Sequence, residues 1–473
     1  NHPFRVERDS LGEVPVPEGA YYGAQTVRAS ENFPISGLKL HPWMIRAMAL
    51  IKKAAARANA EMKLLDRRTS RAIIAACDEI LSGKFHDQFI VDVFQMGAGT
   101  SFHMNCNEVL ANRAEEILGG RKGQYALVHP NDHVNIGQST NDVFPASMKI
   151  STLILLKDLM VSIEELEDSF MRKAEEFDPI LKSGRTHLQD AAPIRLGQEF
   201  RGYAMTIKKS REFVEKASAS LFELGLGGSA VGTGLNTPEG FGEKVVTYLG
   251  DWTGLALRVA GDLREAMQSM RPMAEVSGAL RTLALELNRI ANDLRLMASG
   301  PRTGLAEIVL PGVAPGSSIM PGKVNPSMLE MLNMVCYQVI GCDLAVSAAV
   351  QAGQLELNVM MPVIAFNACF MIHILTNALQ RVKSRCIDGI QANPERCRDY
   401  AEKSLGLAAA LSPHIGYEKA AEVAAQALEE GKSLKEVLRE RNLLSSEQVR
   451  DLLRPEVMTE PFPVKKGESD PEA

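Results

Sequence analysis

From Trp43 onward the chain places its apolar residues at the period of an α-helix. Met44, Met48, Ile51 and Ala55 share one face, and so do Leu153, Leu156, Leu159, Ile163, Leu166 and Phe170. Four further stretches, 194–222, 273–298, 327–350 and 362–386, are each long enough for about 30 Å or more of helix at 1.5 Å per residue. Residues 1 to 40 break the pattern, because Val14-Pro15-Val16-Pro17 and Gly23 punctuate short extended pieces. No run alternates β-branched and polar residues as a half-buried strand would. The pattern predicts an all-α chain with a central bundle of long helices. Leu357 to Gln380 is uncharged throughout, but Asn358, Pro362, Asn367, His373 and Asn377 make it too polar for a comfortable membrane span. It is expected to be a buried central helix, with no membrane partner.

Length and charge narrow the picture. The 473 residues correspond to roughly three domains at about 150 residues each, or to one large helical array. The net charge is −6, from 52 Lys and Arg against 58 Asp and Glu, which argues against nucleic acid as a partner. The seven cysteines form no CxxC pair and several lie in apolar runs. That usage fits a reducing compartment, so a cytoplasmic location is expected. The histidines are scattered with no HExxH or Cys/His cluster, so neither a metal nor a cofactor is expected. The charged end, residues 463–473, is expected to be disordered.

Four polar, glycine-punctuated segments interrupt the helices: Gly97 to Glu108, His129 to Asp142, Gly184 to Asp190, and Gly316 to Pro326. Thr100/Ser101, Thr140/Asn141 and Asn325-Pro326 each sit at the start of a helical run, the last as an N-cap and N1 pair. A helix start offers free N–H groups and a positive dipole end, so three such starts can cradle a small dicarboxylate. Two other motifs are decoys. Gly225-Leu-Gly227-Gly-Ser-Ala230 has dinucleotide-loop spacing but follows a helix rather than a strand. Gly316 to Lys323 resembles a phosphate loop, with its glycines one residue too far apart.

The eleven residues Gly316-Ser-Ser-Ile-Met-Pro-Gly-Lys-Val-Asn-Pro326 resemble the signature of the fumarase/aspartase superfamily. Tyr21-Tyr-Gly23, Gly184-Arg-Thr-His-Leu-Gln-Asp190 and Gly232-Thr-Gly-Leu-Asn236 match in the family's order. The resemblance runs from about Phe4 to Pro461. It implies a three-domain fold divided at 1–140, 141–392 and 393–462. It also implies a homotetramer on the long-helix bundle, with active sites formed by residues from three subunits.

The family's reaction removes a proton next to a carboxylate and expels a group from the adjacent carbon, leaving fumarate. The intermediate carries a doubly negative aci-carboxylate, so fixed donors aimed at it dominate catalysis. Lys323, Asn325 and the Thr186 hydroxyl suit that role. By resemblance the base is Ser317, with Ser318 as competitor, and His187 orients or protonates at the site with Glu330 as its partner. Thr100, Ser101, Ser139, Thr140 and Asn141 match positions that grip the substrate's other end. Where the family pattern has Asn, this chain has His103, and its role is open. Ala98-Gly-Thr-Ser101 and Ser139-Thr140-Asn141 resemble the aspartase branch. His129-Pro-Asn-Asp132 instead matches a second anion site of the fumarase branch, through His129, Asn131 and Asp132. The resemblance thus implies ammonia elimination from aspartate, with water elimination from malate as the alternative.

Overall fold

The computed structural model describes residues 4–461, so the tail predicted for 463–473 lies outside the described residues. In chain order the helices are α1 Ala24–Asn32, α2 Pro42–Glu61, α3 Arg67–Leu81, α4 Thr100–Ile117, α5 Thr140–Glu176, α6 Leu196–Ser218, α7 Phe241–Thr253 and α8 Leu263–Gln268. They continue with α9 Arg271–Met297, α10 Ser327–Gln351, α11 Met361–Arg385, α12 Pro394–Lys403, α13 Ser412–Ile415, α14 Tyr417–Glu430, α15 Leu434–Arg441 and α16 Ser446–Leu452. The four long stretches predicted helical are α6, α9, α10 and α11, each within a few residues at either end. Short strands pair two by two: β1 Phe4–Asp9 with β2 Gly12–Pro17, β3 Leu181–Thr186 with β4 Gln189–Arg195, β5 Glu223–Leu224 with β6 Arg258–Val259, and β7 Ile308–Val309 with β8 Gln391–Ala392. The β3–β4 hairpin was not foreseen, because Lys182 to Arg195 carries no two-residue alternation.

By contacts the chain divides into two units. The first comprises Asn1–Ser162, Ser210–Leu285 and Val335–Asn377. Its α2 starts with Pro42, and the His41 ring accepts from Trp43 N. Met44, Met48, Ile51 and Ala55 are buried as their spacing predicts, each large one contributing about 1.5–3 kcal/mol relative to exposure. Asp66 caps α3 through the N–H groups of Arg68 and Thr69.

The second unit comprises Ile163–Lys209, Glu286–Met334 and Ala378–Ala473. Glu307 is fully buried there and pairs with Lys182 at 3.3 Å and Arg185 at 2.8 Å, which anchors β3. Its last helices have capping boxes, Ser433 with Glu436 and Ser445 with Gln448. They enclose a separate core of Leu407, Leu411, Val423, Val437 and Leu438.

Two helices, Ser327–Gln351 and Met361–Gly389, have the length and apolarity to cross a membrane. More than half of the apolar window of the second is buried within the chain, as expected of a central helix, and about two fifths of the first. All seven cysteines are buried free thiols.

Candidate active site

In the first unit the turn before α4 is held by backbone contacts. Ala98 N donates to the Val359 carbonyl at 2.7 Å. Gly99 has φ +85°, and a Cβ there would collide with the Phe144 ring, so only glycine fits. The Gln95 side chain accepts from Phe102 N at 2.8 Å, and Ser101 Oγ accepts from Met96 N at 3.3 Å. Ser101 is buried. Thr100, the first residue of α4, is half-buried and donates its hydroxyl hydrogen to the Gly97 carbonyl. Its oxygen is thereby left as an acceptor.

The start of α5 is more heavily built. Ser139 Oγ accepts from Asn141 N at 3.3 Å, and Asp142 Oδ1 accepts from Ser139 N at 2.9 Å. The other oxygen of Asp142 accepts from Gly227 N and Ser229 N. Asn141 Nδ2 donates to the Ala230 carbonyl at 2.7 Å. The dinucleotide-like glycine loop is therefore a brace for this helix start. Asn141 keeps Oδ1, an acceptor, for other use.

Behind Thr140 lies a buried polar cluster. His103 Nδ1 is 2.7 Å from Thr140 Oγ1. His103 Nε2 is 2.6 Å from Lys52 Nζ, which also donates to Asn135 Oδ1 at 2.8 Å. Burial, then the charge of Lys52, holds the His103 ring well below its ordinary pKa. Burial also brings Lys52 down to about 7 and Asp142 up to about 6. Lys52 was missed from sequence, although a signal existed: it lies four residues after Met48, on the apolar stripe of α2.

The His129 segment forms one π-turn, Pro130–Val134, in which the N–H groups of Asn131 and Asp132 both donate to His129 Nδ1 at 3.2 Å. Asp132 lies 3.4 Å from the same ring nitrogen.

In the second unit Thr186 pairs with Gln189 and closes the β3–β4 hairpin over His187 and Leu188. These two have φ +56° and +60°. A two-residue turn demands such values, and Asn-Gly usually meets them. A histidine and a leucine held there store strain of about 1–3 kcal/mol each. Thr186, His187 and Leu188 are all exposed. The rest of the motif anchors the hairpin: Arg185 on Glu307, and Asp190 accepting from Leu405 N at 3.2 Å.

The Gly316–Pro326 loop closes on itself. Gly316 N donates to the Lys323 carbonyl at 2.8 Å, and a Cβ on Gly316 would collide with that carbonyl. Ser317 Oγ accepts from Met320 N at 2.9 Å and Ile319 N at 3.2 Å. The Asn325 amide donates to the Gly316 carbonyl, so this side chain braces the loop instead of capping α10, which begins at Ser327. Ser318 and Lys323 are exposed, and Lys323 has no ion-pair partner among the described residues. Lys323, Asn325 and Glu330 line a cavity of about 930 Å³ with Arg295 and Arg396. No hydrogen bond joins His187 to Glu330 or to this loop among the described residues.

Residues 12–341 match the lyase family and 407–460 match the fumarase C C-terminus family. The chain is 50% identical over 458 residues to the aspartate ammonia-lyase of Bacillus subtilis, covering 97% of this chain and 96% of that one. Among solved structures it resembles a fumarate lyase:delta crystallin from Brucella melitensis bound to cobalt, at 47% identity and a TM-score of 0.93, covering 97% of this chain and 100% of that one. It also resembles the class II fumarase of Schistosoma mansoni, at 38% identity and a TM-score of 0.94, covering 96% and 99%.

Proposed function

This chain belongs to the fumarase/aspartase family of lyases, and on that premise we propose that it converts L-aspartate reversibly to fumarate and ammonia. The observation that carries the choice of an amine is the polarity of the helix-start half. Thr100 Oγ1 is left as an acceptor because its hydrogen goes to the Gly97 carbonyl, and Asn141 presents Oδ1 as an acceptor because its amide nitrogen faces the Ala230 carbonyl. An ammonium group has three hydrogens to donate and a hydroxyl only one. A site that leaves acceptors unpaired against malate rejects it. Aspartate ammonia-lyases also share about half of this chain's residues over nearly its whole length.

In the proposed reaction Ser317 takes the proton from the carbon next to the carboxylate. Its oxygen already accepts two loop N–H groups, the arrangement an alkoxide needs. Lys323, Asn325 and Thr186 hold the carboxylate as its charge doubles. His187, supported by Glu330, orients the substrate from the strained hairpin tip. Thr100, Ser101, Ser139, Thr140 and Asn141 hold the other end. Ammonia leaves as a neutral molecule and requires no proton from the enzyme. The His129 segment, with Asn131 and Asp132, is kept as a second anion site and is the one feature that favours the fumarase alternative.

The proposed assembly is a cytoplasmic homotetramer with active sites shared between subunits, its chain divided at 1–140, 141–392 and 393–462. In support, Met334, Tyr337 and Leu344 form an exposed, uncharged stripe on α10, a face suited to another helix. The exposed hairpin tip fits a site completed by another chain.

The deciding experiment assays the purified protein for fumarate release from L-aspartate and from L-malate. Aspartate is expected to be favoured by at least about a hundredfold in kcat/KM, roughly 2.7 kcal/mol. Efficient fumarate hydration without ammonia-dependent aspartate synthesis would establish the fumarase alternative. Reassembling inactive Ser317→Ala with inactive His187→Ala chains is expected to restore part of the activity. Confirmed hybrid tetramers without recovery would place the whole site in one chain.

A further inference from the structure

Position 103 departs from the family pattern, and the structure gives it a task. We propose that His103 is a positioning residue that fixes the Thr140 hydroxyl as a hydrogen-bond donor, so that Thr140 recognises a carboxylate oxygen of the substrate and not its ammonium group. This rests on the reading of Thr140 as a substrate-binding residue.

The argument follows the hydrogens. Asn135 donates its amide to the Gln138 carbonyl at 3.2 Å, which leaves its Oδ1 to accept from Lys52. Lys52 is fully buried. Below about pH 7, the value to which burial brings it, Lys52 is an ammonium with only hydrogens to give, and its second one goes to His103 Nε2 at 2.6 Å. Another donor, Asn107 Nδ2, lies 3.5 Å from the same nitrogen. Nε2 is therefore an acceptor, and the neutral ring must carry its hydrogen on Nδ1. Nδ1–H then donates to Thr140 Oγ1 across 2.7 Å. With a lone pair so occupied, Thr140 keeps its own hydrogen for a ligand. Thr140 is also the first residue of a 37-residue helix, whose dipole favours an anion at that point.

Side-chain geometry supplies the test. In His103→Gln the side-chain amide reaches the position of Nε2, keeping a partner for Lys52 but losing the donor to Thr140. In His103→Asn the amide reaches the position of Nδ1 and can keep that donor. The measurements are the Kd for succinate, which has two carboxylates and no amine, by calorimetry, and KM and kcat for L-aspartate. His103→Gln is expected to weaken succinate about tenfold and to raise KM for aspartate by the same factor. Expected kcat changes are under about threefold, since a contact equal in ground and transition states moves KM alone. His103→Asn is expected to stay within about threefold of the native protein. In a Thr140→Val background the His103→Gln effect is expected to vanish.

Weaker aspartate with unchanged succinate would overturn the inference, because the hydroxyl would then face the ammonium. An equal His103→Gln effect with and without Thr140 would overturn it too, as would equal losses in the Gln and Asn variants. A native protein that neither deaminates aspartate nor binds succinate would instead remove the functional reading, and this inference with it. Native turnover with an unresponsive His103→Gln would remove the inference alone.

Discussion

The two polar regions of this chain are built in opposite ways. The helix starts at Thr100 and Thr140 are held by the buried side chains of Lys52, His103 and Asp142 and by the carbonyls of Val359 and Ala230. The Gly316–Pro326 loop is held by contacts within itself, through Ser317 and Asn325, and the His187 tip stands exposed on a hairpin anchored by Arg185 and Asp190. The first region is fixed before any ligand arrives. The second exposes Thr186, His187 and Lys323, together with Ile319 and Met320, which are at least half exposed on the loop. Rigid binding groups keep the cost of orienting a small dicarboxylate low, whereas a half-buried base on a loop can be fully enclosed once substrate is present.

That contrast predicts large catalytic and small structural effects in the loop, and the reverse at the helix starts. The largest expected change is from Ser317→Ala: kcat should fall at least about a thousandfold, near 4 kcal/mol of barrier. Stability in urea should shift by less than about 0.5 kcal/mol. Retention of more than a tenth of activity, with loss in Ser318→Ala, would move the base to the neighbouring serine. Next comes Gly99→Ala, which forces a Cβ into Phe144 at positive φ and should destabilise the chain by about 3 kcal/mol in urea titration. A neutral result would mean that the α4 start is not rigid. Asp142→Ala strips the N–H groups of Ser139, Gly227 and Ser229 of their acceptor and should lose about 2 kcal/mol. If its unfolding midpoint matched the native protein, the brace between α5 and the glycine loop would be idle. The smallest effect is expected at the hairpin tip. Leu188→Asn puts a residue tolerant of positive φ into the turn, and a gain of about 0.5 kcal/mol is expected. A loss of stability would show that the exposed leucine is packed in the assembled protein.

Much of this was legible in the sequence. The long helices follow from apolar spacing alone, because a stripe at the helical period can be buried in only one way. The segments around Thr100, Thr140, His187 and Ser317 stood out as polar, glycine-bearing interruptions. The β3–β4 hairpin was not legible. No local pattern marks Lys182 and Arg185 as a pair of anchors, and only the buried Glu307 brought from a distant segment makes them so. Asn325 read as a cap because it precedes a proline, yet α10 begins only at Ser327, and the Asn325 amide donates to the Gly316 carbonyl.

By itself, the sequence determined the helical architecture, the family resemblance and which short segments carry chemistry, since these depend on local periodicity and on residues adjacent along the chain. Tertiary structure alone decided which way each polar group points. The role of His103 is set by Lys52, fifty-one positions earlier, and by Thr140, thirty-seven later. Asn141 presents its acceptor oxygen only because Ala230, eighty-nine positions on, draws its amide nitrogen to the other side. A hydroxyl, amide or imidazole can donate or accept until its neighbours are fixed, and those neighbours come from segments that no local pattern connects.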